Sequence, residues 1–129
     1  MPEKASDAEA IVLAALIEKK HATAEELRAT LAKKRGWAYS TVVTFLRRLE
    51  AKGLAAHGRP GGGRAFVFRA TRRARTSRRR ALLDTLDRLF GGNPLPLVSS
   101  LIDEGRMKKG QIEELRRMID GRLKNSGHL

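Results

Sequence analysis

The sequence predicts a mainly α-helical chain with one small β-hairpin: a winged helix-turn-helix over residues 1–73, then a three-helix region over residues 74–129. Three observations predict it. Two capping boxes of the form Ser/Thr-x-x-Glu open consecutive apolar-periodic stretches. A third stretch is apolar on one face and rich in hydroxyls and guanidiniums on the other. After Gly53 the helical period gives way to two β-prone runs around a glycine-rich loop.

Helix 1 opens at Ser6, whose hydroxyl caps the first turn while Glu9 reaches back, and its Ala, Ile, Val and Leu run continues to Ile17. The polar segment from Glu18 to His21 interrupts it. The same device recurs at Thr23 and Glu26 and opens helix 2, which runs through Leu27 and Leu31 to about Lys34. Arg35 and Gly36 break the pattern, and Trp37 and Ala38 lead into helix 3, from Tyr39 to Lys52.

Helix 3 organises the rest. Val42, Phe45, Leu46 and Leu49 follow the i, i+3, i+4, i+7 spacing and form one narrow stripe that must pack on a core. The opposite face carries Ser40, Thr44 and Arg47, flanked by Thr41, Val43 and Arg48, with Tyr39 as an aromatic at its start. Hydroxyl, methyl and guanidinium groups suit the edges of bases in a major groove. Taken alone, the same pattern also describes an ordinary amphipathic helix with a solvated face. Gly53 supplies the left-handed residue that ends the helix, with Lys52 in the last turn where a cation is favoured.

Past Gly53, residues 54–56 are strand-like, residues 57–64 can only be a turn or loop, and residues 65–68 are β-prone. A hairpin directly after a helix-turn-helix is a wing, and Arg59 and Arg64 at its tip suit phosphate. Residues 72–80 then hold six arginines: either a solvated linker or helix start, or an added phosphate clamp that steepens salt dependence without reading bases.

Beyond the arginines, Leu82, Leu83, Leu86, Leu89 and Phe90 recur at helical spacing up to Gly91 and Gly92. Asn93 and Pro94 start a second segment with Leu97, Val98, Leu101 and Ile102 on one side. A third follows, marked by Ile112, Leu115, Met118, Ile119 and Leu123. Three such helices are too small for a secure core, so a second copy of the chain is the expected cover and the region reads as a dimerisation element. The alternative is that they fold back on the winged helix of the same chain.

Composition bounds the partners. The formal net charge is +13, from 27 basic and 14 acidic side chains, which favours an anionic partner such as nucleic acid or a membrane surface. Split at residue 70, the halves carry +6 (13 basic, 7 acidic) and +7 (14 and 7), so both are basic. There is no cysteine, hence no disulfide framework or thiolate metal site. No window approaches the ~18 apolar residues of a membrane helix. A soluble cytoplasmic protein without a membrane partner is expected.

Catalytic and metal signals are weak. His21, His57 and His128 fall in a turn, a wing and a tail, as solvated positions without metal-site spacing. The pairs Glu25–Glu26 and Glu113–Glu114 sit in first helical turns, where they complement the dipole. Gly61, Gly62 and Gly63 lack the frame of a phosphate-cradling loop, and neither Ser99 nor Ser100 has a base at readable spacing. No cofactor and no enzymatic activity are expected.

In order and spacing, several segments together resemble the penicillinase and methicillin-resistance repressor family (BlaI/MecI/CopY). They are residues 7–9, 23–27, 37–49 with Lys52 and Gly53, 63–68, 97–102 and 112–119. The resemblance implies a homodimeric repressor with an N-terminal winged helix and a C-terminal dimerisation region, bound to an inverted-repeat operator in double-stranded DNA. By position, Ser40, Thr41, Val43 and Thr44 match the family's base-reading residues, and Arg47 and Arg48 its groove or phosphate contacts. Several relatives carry Lys and Arg where this chain has Ser40 and Val43, which implies a different operator, with Val43 offering methyl contact to thymine. In relatives inactivated by a sensor protease the cut falls between Asn and Phe; the matching pair here is Ser100 and Leu101. A sensor protease or another inactivating factor is therefore an implied partner. The copper-sensing branch needs cysteines, which this chain lacks. Two other readings stay open: a non-catalytic RNA-binding protein, and a protein-interaction module whose basic surface maintains solubility.

Overall fold

The computed structural model describes residues 4–126, and His128 lies outside them. The elements run α1 (Asp7–Lys19), α2 (Ala24–Leu31), α3 (Tyr39–Ala51), β1 (Ala55–Gly58), β2 (Val67–Ala70), α4 (Arg72–Phe90), α5 (Pro94–Asp103) and α6 (Lys109–Ser126). Two compact units divide the chain, residues 1–81 and residues 82–129. Residues 72–81 of α4 fall in the first and residues 82–90 in the second.

In the first unit both expected capping boxes form. Glu9 N–H donates to the Ser6 hydroxyl at 3.2 Å while Ser6 N–H donates to the Glu9 carboxylate at 3.3 Å. Glu26 and Thr23 repeat the exchange at 3.1 and 2.9 Å, so four otherwise orphaned backbone donors are satisfied. Helix α1 extends two residues past Ile17, to Lys19, and closes with Lys20 at φ 71°, an uncommon conformation for a residue with a Cβ. Helix α2 stops at Leu31, shorter than its periodicity suggests, because residues 32–34 form a turn.

The core is where the stripes meet. Val12 and Leu16 of α1, Leu27 of α2, and Val42, Leu46 and Leu49 of α3 are all fully buried, joined by Leu54, Phe68 and Ala74. Phe45, the fourth member of the α3 stripe, is half-buried and meets Trp37 edge-on at 4.9 Å.

The hairpin is antiparallel, with Ala55 opposite Ala70 and Gly58 opposite Val67. Its strands lie about two residues further along than expected: His57 and Gly58 belong to β1, not to the loop, and β2 starts at Val67. Cross-strand pairing decides this. Ala22, after α1, exchanges both backbone hydrogen bonds with Phe68 at 3.0 and 2.8 Å, so a short third segment fixes the β2 register. The tip is a short turn over Pro60–Gly62, in which Gly61 and Gly62 take φ 69° and 71°, values that favour glycine.

The second unit holds the C-terminal half of α4 with α5 and α6. Asn93 caps α5, its side-chain oxygen accepting from Leu95 N–H at 3.1 Å with Pro94 in the first turn. Among the described residues of this unit none is buried. Leu82, Leu89, Leu95, Met118 and Leu123 are each more than half exposed. Among the described residues no helix is long and apolar enough to cross a membrane.

Candidate nucleic-acid interface

Helix α3 keeps its two faces apart. While Val42, Leu46 and Leu49 are buried, Tyr39, Ser40, Thr44, Arg47 and Arg48 are exposed, and Thr41 and Val43 are half-buried at the flanks. The Thr44 hydroxyl donates to the Ser40 carbonyl at 2.9 Å, so toward solvent it offers its methyl and an accepting oxygen. The helix has no side-chain N-cap and no acid in its first turn. Its outer face therefore presents one aromatic, two hydroxyls and two guanidiniums.

The C-terminal end of α3 is held twice. Lys52, at the C-cap, donates to the Glu9 carboxylate at 2.6 Å and to the Lys4 carbonyl at 2.9 Å, tying α3 to the start of α1. Burial works against the charge on Glu9, but the hydrogen bonds from Lys52 and Ser6 outweigh it and hold the carboxyl below the ordinary glutamate range. The Thr71 hydroxyl donates to the Gly53 carbonyl at 2.7 Å and accepts from Ala74 N–H at 3.3 Å. Thr71 thus caps α4 while seating it on the end of α3.

The wing is fastened to the same helix. His57 Nδ1 lies 2.7 and 2.8 Å from the two Glu50 carboxylate oxygens. Its ring meets Phe66 at 4.6 Å and Phe68 at 5.4 Å between centroids. Phe66 in turn carries the Arg59 guanidinium 4.3 Å above its ring. His57 is therefore a wing-to-helix connector that, though exposed as expected, lies in β1 and not in the loop. Arg59 and Arg64 are both exposed, Arg59 over Phe66.

Between α3 and the hairpin lies an open groove of about 760 Å³. Tyr39, Val43, Arg47 and Glu50 line it from α3, Thr23 to Glu25 from the start of α2, and His57, Arg64, Phe66 and Phe68 from the hairpin. Glu25 is engaged by Arg28 at 2.6 Å. That guanidinium lowers its pKa, while the Thr23 backbone N–H does the same for Glu26. Arg47 and Arg64 are thus the cations that line the groove.

Of the expected base-facing and wing residues, the structure gathers Tyr39, Ser40, Thr41, Val43, Thr44, Arg47, Arg48, Arg59 and Arg64 on α3 and the wing of one unit. The residues expected at a dimer contact divide differently. Leu82, Leu83, Leu89, Leu101, Ile102 and Ile119 are exposed, whereas Leu86, Phe90, Val98 and Leu115 are half-buried. Ser100 and Leu101 sit exposed within α5. The sequence reading missed Glu50, Phe66 and Thr71, whose roles come from partners distant in the chain. Among the described residues no three His, Cys, Asp or Glu side chains come together as a metal-binding group.

The family model described as penicillinase repressor matches residues 5–121. Among solved structures, the DNA-binding domain of the repressor BlaI is 31% identical, covering 54% of this chain and 82% of its own, with a TM-score of 0.47. FabT of Streptococcus pneumoniae, solved in complex with DNA, is 19% identical over 95% of this chain and 76% of its own, with a TM-score of 0.55. The transcriptional regulator SlyA is 12% identical over 95% and 77%, also at 0.55. The last two are likenesses of fold. No curated protein sequence matches the chain.

Proposed function

The chain belongs to the penicillinase repressor family of DNA-binding transcriptional repressors, and from that premise we propose that it acts as a homodimer on an inverted-repeat operator. Helix α3 enters the major groove, where Ser40, Thr41, Val43 and Thr44 read base edges and Arg47 and Arg48 hold bases or backbone. The wing lies on the neighbouring backbone through Arg59 and Arg64. The groove between α3 and the hairpin suits a sugar-phosphate strand passing between the two contacts.

The observation that carries this reading is the division of α3: its apolar stripe is buried, and its hydroxyl and guanidinium face is open. A helix whose polar face served only to pack against its own chain would have covered it.

The second unit supplies self-association. Many of its apolar side chains, among them Leu82, Leu89, Leu101 and Ile119, are exposed in the single chain, and a second copy would cover them. Two recognition helices related by a dyad then enter successive major grooves about 34 Å apart, and the bound dimer blocks polymerase. Anything that separates the copies releases the operator, because one winged helix alone loses the linked second contact. A protease acting at Ser100–Leu101 would have to unwind α5 first, since both residues lie inside that helix.

Selection of bound duplexes from a random pool, followed by footprinting, tests the proposal. The expected result is an inverted repeat with half-sites about one helical turn apart. Equal binding to all duplexes, lost together at moderate salt, would overturn it.

A further inference from the structure

The six arginines between Arg72 and Arg80 form the first half of α4 and belong to the same compact unit as α3 and the wing. The charge is divided unevenly at that boundary. Residues 1–81 hold 19 basic and 7 acidic side chains, +12, and residues 82–129 hold 8 and 7, +1. Nearly all of the net charge therefore lies in the winged-helix unit.

The arginines are not equivalent. Arg73 packs over Gly53, so closely that a Cβ on that glycine would lie 3.2 Å from its Nη1, and its cation sits by the C-terminal end of α3. Ala74 is fully buried and marks the inward side of α4. At about 100° per residue, Arg72, Arg75 and Arg79 fall in one row on the opposite side, and all three are exposed. Among the described residues, no ion pair includes any of the six.

This row is locally unfavourable. The first turn of α4 contains no acid, and its positive dipole end carries Arg72, Arg73 and Arg75. Like charges three and four residues apart repel each other as well. An external anion would relieve both effects at once.

The geometry points to the Arg72, Arg75 and Arg79 row as a third DNA contact of the unit, one that binds duplex phosphates without reading bases. This rests on the repressor reading above and adds a surface that neither α3 nor the wing supplies. Arg73 is excluded from it by its place over Gly53.

The test compares the full-length protein with R72Q/R75Q/R79Q and the charge-keeping R72K/R75K/R79K, on a duplex selected by the wild type and on a scrambled duplex of equal length. Each phosphate contact withdrawn lowers the slope of log affinity against log salt by about 0.9, so the glutamine variant should lose about 2.7 per protomer. Affinity for both duplexes should fall by the same factor, and their ratio should stay constant. The lysine variant should keep the slope, and without DNA the glutamine variant should unfold at an equal or higher temperature because repulsion is relieved. An unchanged slope overturns the inference, as an acidic protein or RNA partner for this face would predict. A changed ratio between duplexes overturns it too, because it would assign the row to base reading. If the wild type selects no sequence at all, the α3 proposal fails instead, while the slope on the scrambled duplex still decides the role of the row.

Discussion

The Glu50 carboxylate, in the last turn of α3, accepts His57 Nδ1 at 2.7 Å and so fastens the first wing strand to the helix beside it. From His57 the connection continues through Phe66 to Arg59, so the position of a wing-tip cation is linked to α3. His57→Ala should therefore loosen the hairpin. Amide exchange in residues 55–70 should quicken, and affinity for the selected duplex should fall up to about tenfold, as expected for the loss of ~0.5–1.5 kcal/mol. Glu50→Gln should do less, since the amide oxygen still accepts from the imidazole. Unaltered exchange in His57→Ala would show that the link holds nothing in place.

Base reading by α3 predicts loss of discrimination. Arg47→Ala should cost about 1–3 kcal/mol of preference for selected over scrambled DNA if the guanidinium is bidentate to a base. Thr44→Ala should cost less, because the hydroxyl proton is already given to Ser40. Competition binding at fixed salt measures both. A preference left intact in both variants would remove α3 from the major groove.

Self-association through the second unit predicts a change in mass. Leu89 is the cleaner probe, being 66% exposed, whereas Leu86 is half-buried. Leu89→Asp should shift the protein from dimer to monomer in sedimentation experiments and weaken binding to a two-half-site duplex far more than to a single half-site. A Leu89→Asp monomer that binds the full duplex normally would contradict the dimer.

The Glu9–Lys52 pair predicts a dependence on pH. The folded carboxyl lies below its ordinary value near 4.5, so its contribution is complete above that pH and is lost as pH falls through the folded value. Glu9→Gln keeps the capping geometry but removes the charge, and should destabilise by about 1 kcal/mol at neutral pH. Denaturant unfolding should show the gap closing in acid. A gap that persisted in acid would assign the loss to packing.

Signals carried by the amino-acid order alone are local or periodic. Ser6 with Glu9 and Thr23 with Glu26 announce two helix starts within four residues each, and the Val42, Leu46, Leu49 spacing declares which side of α3 is buried. The open side follows by subtraction, which is why the outward-facing residues of α3 could be named from the chain. Features that depend on distant partners were settled by packing of the folded chain. Lys52 finds Glu9 across 43 positions, Thr71 finds Gly53 across 18, and Ala22 sets the β2 register through Phe68. The arginine run is the clearest case: composition showed a basic half on each side of residue 70, and packing of Thr71, Ala74 and Arg73 against the end of α3 moved that charge into the winged helix. Caps and stripes are written in neighbouring residues, whereas strand register, ion-pair choice and the ownership of a charged helix half are fixed by whatever the folded chain brings alongside.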